Sequence, residues 1–134
     1  MKKLIFGYGA TGKSVESYFQ KNKIEYFIYD DKKLDIENHL IFDKKKFNEI
    51  DEVVISPGIK PIHPLVNEIN SQGLTINTDI DLFNKVYKGK IIGVTGTNGK
   101  TTFVNLLSNF LNENGIVIVI GLGLFYGDWV LFGN

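Results

Sequence analysis

Short apolar runs alternate with amphipathic stretches along the whole chain. The runs predict strands at Lys3–Gly7, Glu25–Asp30, His39–Phe42, Glu52–Ser56, Leu74–Asn77, Lys90–Thr95 and Ile116–Ile120. Between them, apolar positions recur at helical spacing. Thr11–Asn22 carries Val15, Tyr18 and Phe19 on one face, His63–Gln72 carries Leu65, Val66 and Ile69, and Asp79–Tyr87 carries Ile80, Phe83 and Tyr87. The strongest helical stripe, in Lys100–Asn112, joins Phe103, Leu106, Leu107, Phe110 and Leu111, with Gly115 as its stop. Strands alternating with helices predict an α/β fold on a mostly parallel sheet.

A boundary is expected at "YKGK", Tyr87 to Lys90, dividing residues 1–88 from residues 89–134. The second part is too small to close a core alone, so the chain is expected to stop inside its second domain.

Composition narrows the function classes. Basic and acidic residues number 15 each and cancel, which leaves no basic footprint for nucleic acid. All the basic residues are lysine, so no bidentate arginine clamp is available. The absence of cysteine excludes disulfides and thiolate metal sites. After the basic start only Leu4–Phe6 is apolar, short of the roughly 7–15 residues of an export signal. The apolar stretch Ile116–Tyr126 falls short of the roughly 20 residues that span a bilayer. A cytoplasmic location without membrane contact is therefore expected.

Two stretches carry phosphate-binding chemistry. "GYGATGKS", Gly7 to Ser14, fits both G-x-G-x-x-G and G-x-x-x-x-G-K-S. As a Rossmann turn, Gly7 serves the tight turn, Gly9 the approach of a ligand and Gly12 the helix contact. Asp30, at the end of the next strand, then stands where an acid grips a ribose hydroxyl. A P-loop, with Asp30 as a metal-binding acid, and a plain packing turn both stay open on the pattern.

The second stretch, "KIIGVTGTNGKTT", has Val94 where the strict P-loop has its first glycine. Its strand, glycine-rich turn and helix start are nevertheless what a phosphate loop requires. Backbone N–H groups from Gly96 to Thr101 would converge on an anion at a helix N-terminus. Lys100 would reach the β- and γ-phosphates and the Thr101 hydroxyl would bind Mg²⁺. The plainer reading is an ordinary strand–turn–helix, but a lysine at a helix start opposes the dipole and wants a reason.

The order of "GYGATGKS", "ISPGIKPIHP", "TDIDLF" and "GVTGTNGKTT" resembles the Mur ligases of peptidoglycan synthesis over about residues 1–115. The chain looks most like the branch that adds D-glutamate to UDP-N-acetylmuramoyl-L-alanine. The resemblance implies a Rossmann-like N-terminal domain for the UDP-linked substrate, followed by the beginning of a P-loop ATPase-like central domain. Gly9, Ala10 and Thr11 would lie against the diphosphate, Asp30, Asp31 and Lys32 near the uridine, and Gly58 close to the uracil. Gly96, Thr97, Asn98, Gly99, Lys100, Thr101 and Thr102 would hold ATP, with Lys100 catalytic and Thr101 on the metal. The implied reaction is ATP-dependent amide formation, in which the alanyl carboxylate is phosphorylated and then attacked by the D-glutamate amine. Asp30 ending a strand and Pro57-Gly58 making a turn are the bland alternatives.

The resemblance fails after Gly115, where Gly121, Leu122 and Gly123 stand in place of a loop containing asparagine. The family's metal-binding glutamate, modified lysine and D-glutamate domain have no counterpart. A cut chain or an altered reading frame near residue 116 would each produce this. The chain is expected to bind UDP without turnover, and its tail to leave an open sheet edge that favours self-association, whereas an intact enzyme would be monomeric. Two rivals remain: a non-enzymatic NAD- or nucleotide-sensing regulatory domain, and an NAD-dependent oxidoreductase fragment. For the second, only His39 and His63 are at hand as acid–base groups, and His63 before Pro64 reads as a helix start.

Overall fold

The structure, a computed structural model, describes residues 1–32, 34–86, 91–94, 98–99, 102–103, 106–107, 117–120 and 130–132. The chain divides into two compact units, Met1–Phe83 and Asn84–Asn134.

In the first unit β1 (Lys2–Phe6), β2 (Tyr26–Tyr29), β3 (Ile50–Ile55) and β4 (Thr75–Asn77) form a parallel sheet in the order β2-β1-β3-β4. The helices are α1 (Ala10–Lys21), α2 (Pro64–Ser71) and α3 (Asp79–Val86). Successive side chains of a strand point to opposite faces, and each sheet face has its own core. Leu4 and Phe6 of β1 join Phe27, Val53 and the α2 residues Leu65, Val66 and Ile69. Ile5 joins Ile28, Val54 and the α1 residues Val15 and Phe19. A sheet buried on both faces explains why the strand centres Leu4–Phe6, Tyr26–Ile28 and Val53–Val54 read as consecutive apolar residues.

Local chemistry sets the helix limits. His63 caps α2 with its ring, its Nδ1 accepting from the Leu65 N–H at 3.1 Å, and Pro64 occupies the first turn. Thr78 and Asp81 form a reciprocal cap at α3: the Thr78 N–H donates to Asp81 Oδ2 at 2.8 Å, and the Asp81 N–H to Thr78 Oγ1 at 3.3 Å. The "TDID" motif is thus at least a helix start.

The segment His39–Phe42 is not a strand. Asn38–Leu40 forms a 3-10 turn and the chain touches β2 by a single parallel bridge, Ile28 to Ile41. Burial of Phe42 in the core, rather than a sheet ladder, accounts for that apolar run. A further 3-10 segment, Lys44–Glu49, was not foreseen; Asp43 caps it through the Lys45 N–H at 2.9 Å.

In the second unit β5 (Ile91–Val94) pairs in parallel with β6 (Val117–Ile120), which pairs antiparallel with β7 (Val130–Phe132). β6 is thus flanked on both sides, and β7, also in the tail, is paired on one side only among the described residues. Of the Lys100–Asn112 helix, residues 102–103 and 106–107 are helical. The rest of that helix, the Tyr87–Lys90 boundary, Gly115 and Gly121–Gly123 lie outside the described residues.

Candidate functional site

All four strands of the first sheet run the same way, so the segments following them meet at one edge. From β1 the chain goes to β2 on one side, while β3 lies on the other side of β1. The crevice at such a reversal, beyond the carboxyl ends of the strands, is where open α/β sheets take ligands.

The glycine loop stands at that reversal. Gly7 has φ 96°, and a Cβ there would meet the Ser56 Cβ at 2.8 Å. Ser56, closing β3, donates its hydroxyl to the Gly7 carbonyl at 3.0 Å. A Cβ on Gly12 would lie 2.1 Å from that same carbonyl oxygen. The Gly7 carbonyl is therefore gripped between β3 and α1, and both neighbours depend on missing side chains.

Gly9 and Gly58 differ from these. Neither has a positive φ, and a Cβ on either would meet nothing within 4 Å. Gly58 sits in a turn closed by the Ile59 N–H on the Ser56 carbonyl at 3.0 Å. The fold needs no glycine at either place, and both follow the central strands β1 and β3.

The start of α1 is open. Gly9 is its N-cap, no side chain caps it, and no acid lies in its first turn. The first intrahelical bond runs from the Lys13 N–H to the Gly9 carbonyl at 3.0 Å. The N–H groups of Ala10, Thr11 and Gly12 precede it and have no intrahelical acceptor. Such a terminus attracts an anion through both its N–H groups and its dipole. Lys13 is exposed, with its Nζ 5.9 Å from the centre of the Tyr8 ring.

The two acids after β2 behave differently. Asp30 turns its carboxylate onto backbone, accepting from the Tyr8 N–H at 2.7 Å and the Lys32 N–H at 2.9 Å. It ties the glycine loop to the turn that carries Asp31 and Lys32. Asp31, its side chain 58% exposed, faces the His63 ring and accepts from the Tyr29 hydroxyl at 3.3 Å. The structure thus brings Gly9, Ala10, Thr11, Asp30, Asp31, Lys32 and Gly58 to one sheet edge. It adds Ser56, for which the sequence suggested no role, and His63, which the sequence marked only as a helix start. The signal for Ser56 was its place before Pro57-Gly58 at a strand end.

Tyr8 folds back onto α1, donating its hydroxyl to Glu16, which also accepts from Tyr26 at 2.9 Å. Burial first, and the Glu16 carboxylate second, push the Tyr8 phenol up to about 12. A phenol raised on folding contributes stability that is complete below the unfolded pKa of about 10 and is lost as pH rises through the folded value. Urea melts are expected to show stability falling between about pH 10 and 12, and less steeply in Tyr8→Phe. Equal slopes in both proteins would refute this.

In the second loop Gly99 has φ 74° and its carbonyl accepts from the Phe103 N–H at 2.9 Å, a bond that opens a helix. Asn98 and Gly99 are exposed, as is Thr102. Gly96, Thr97, Lys100 and Thr101 lie outside the described residues. Among the described residues no cluster of His, Asp or Glu could hold a metal ion, and no helix is long and apolar enough to cross a membrane.

Comparison with known proteins places this geometry in context. Residues 1–78 match the family described as Mur ligase MurD-like, N-terminal domain. A UDP-N-acetylmuramoylalanine–D-glutamate ligase of Rickettsia conorii is 38% identical over 125 residues, covering 84% of this chain and 24% of that protein. The protein of the same description from a Hydrogenobaculum species is 39% identical over 111 residues, covering 82% of this chain and 26% of its own length. The chain thus spans about a quarter of the length of these relatives. Among solved structures, a UDP-N-acetylmuramate:L-alanyl-gamma-D-glutamyl-meso-diaminopimelate ligase from Neisseria meningitides superposes with a TM-score of 0.58 at 23% identity, over 86% of this chain and 40% of that one. That likeness speaks for the fold.

Proposed function

The chain belongs to the Mur ligase MurD-like family, and from that premise we propose that its first unit binds the UDP end of UDP-N-acetylmuramoyl-L-alanine, for an ATP-dependent ligation to D-glutamate. One observation carries this reading: the uncapped, acid-free start of α1, beside the open space at Gly9, at the reversal of the strand order. The N–H groups of Ala10 and Thr11 would meet the diphosphate, and Asp31 and Lys32 would flank the uridine. The space over Gly58 would admit the base. Asp30 acts in this scheme through the backbone it holds.

The second unit would take ATP on the loop from Gly96 to Thr102, Lys100 neutralising phosphate charge and the Thr101 hydroxyl offering Mg²⁺ a hard oxygen ligand. The described part of that loop, a left-handed Gly99 opening a helix after β5, suits such a turn. We place the boundary between the UDP-binding and ATP-binding parts at residues 88 and 89.

UDP is expected to raise the melting temperature of this chain more than NAD does. At a hundredfold excess over Kd the gain is about 2.7 kcal/mol. A thermal-shift comparison decides it, and a larger shift with NAD would favour a sensor or oxidoreductase domain instead.

A further inference from the structure

His63 is pinned at both ring nitrogens. Its Nδ1 accepts from the Leu65 N–H at 3.1 Å, which caps α2. Its Nε2 lies 3.1 Å from each carboxylate oxygen of Asp31. A neutral imidazole has one donor and one acceptor. With Nδ1 accepting, the proton sits on Nε2 and is donated to Asp31. The ring is further held edge-on against Phe6, with centroids 5.0 Å apart, and Tyr29, at 6.4 Å. Only 19% of the His63 side chain is exposed, against 58% for Asp31. A rigid, core-anchored ring therefore braces a carboxylate that faces outward at the edge where the nucleotide is placed. That carboxylate keeps acceptor positions for an N–H or O–H of a ligand.

We infer that His63 is a positioning residue of the nucleotide site: it fixes Asp31 for the nucleoside end of UDP and couples that contact to α2. This rests on the reading of the first unit as UDP-binding. His63 touches no ligand in this scheme and acts only through Asp31.

The test is a double-mutant cycle on the full chain, with UDP affinity read by calorimetry and stability by urea melts. His63→Asn keeps a strong N-cap but is too short to reach Asp31, whereas His63→Phe keeps the ring packing but loses both nitrogens. Each is expected to weaken UDP binding about tenfold, the scale of one hydrogen bond to a charged group. In an Asp31→Ala background neither should weaken it further. In the unaltered chain, nitrogen NMR of the His63 ring should show the proton on Nε2. UDP affinity within twofold of the unaltered chain in both variants would overturn the role of His63 alone. So would a tenfold loss that persists without Asp31. Failure of the unaltered chain to take up UDP would overturn the UDP-binding reading, and this inference with it.

Discussion

An alanine at Gly12 is expected to cost the first unit about 2–3 kcal/mol, in the upper part of the range for an overpacked core. Its methyl group would sit 2.1 Å from the Gly7 carbonyl oxygen, which is backbone and already held by Ser56. Relief requires moving α1 away from β1 or releasing the loop from β3. Both displace the N–H groups proposed for the diphosphate, so UDP binding should fall along with stability. Gly9→Ala supplies the contrast. Gly9 has φ −80° and a Cβ there has no neighbour within 4 Å, so alanine should cost at most the loss of a favoured N-cap residue, about 1 kcal/mol or less. UDP affinity should nevertheless drop at least about tenfold, because the methyl group enters the space a phosphate would use. Urea melts and calorimetry on the two variants separate the cases. A stable Gly12→Ala, or a Gly9→Ala that binds UDP normally, would refute the assignment of the loop.

The second large effect concerns the two lysines that follow glycines in phosphate-like loops. In a full-length ligase containing this segment, Lys100→Ala should lower kcat by about 10²-fold or more, as when one preorganised charge-stabilising donor is lost. Lys13→Ala should leave kcat unchanged and have at most a weak, salt-sensitive effect on substrate affinity. Lys13 is exposed and lies over the Tyr8 ring, at a helix start whose anion would be met by backbone. Steady-state kinetics decide it. A catalytically dead Lys13→Ala beside a tolerated Lys100→Ala would reverse the two loops.

Much of the first unit was legible because its signals are local. Strands β1, β2 and β3 each hold a short apolar stretch buried on both faces, and three glycines at fixed offsets mark the turn after β1. Patterning worked less well where burial involves one residue. Phe42 is the one fully buried residue of its run, with Leu40 packed part-buried against the other core, and a run that looks like a strand contributes a single bridge. The strand β7 was missed because its partner β6 lies across a stretch without a period to read. In the site, glycines and acids announced themselves, but their division of labour did not. Nothing in "YDDK" says that Asp30 turns inward to the backbone of Tyr8 while Asp31 meets His63. Those contacts join residues far apart in the chain, and only the sheet order brings them together.

That order also governs the timing of synthesis. The strand β1 is made before both of its partners and is an inner one: Leu4 pairs with Phe27 on one side and Val53 on the other. β1, α1 and β2 can associate early, but the second flank of β1 waits for β3, and the sheet for β4 at Thr75–Asn77. At about 5–20 residues per second, the second flank of Leu4, Ile5 and Phe6 stays unpaired for roughly 2.5–10 s in the nascent chain. Distant parallel pairing is slow to form as well. A nascent chain of this design offers chaperones a hydrophobic target in β1 until β3 is made, and any pause in translation before β3 lengthens that exposure.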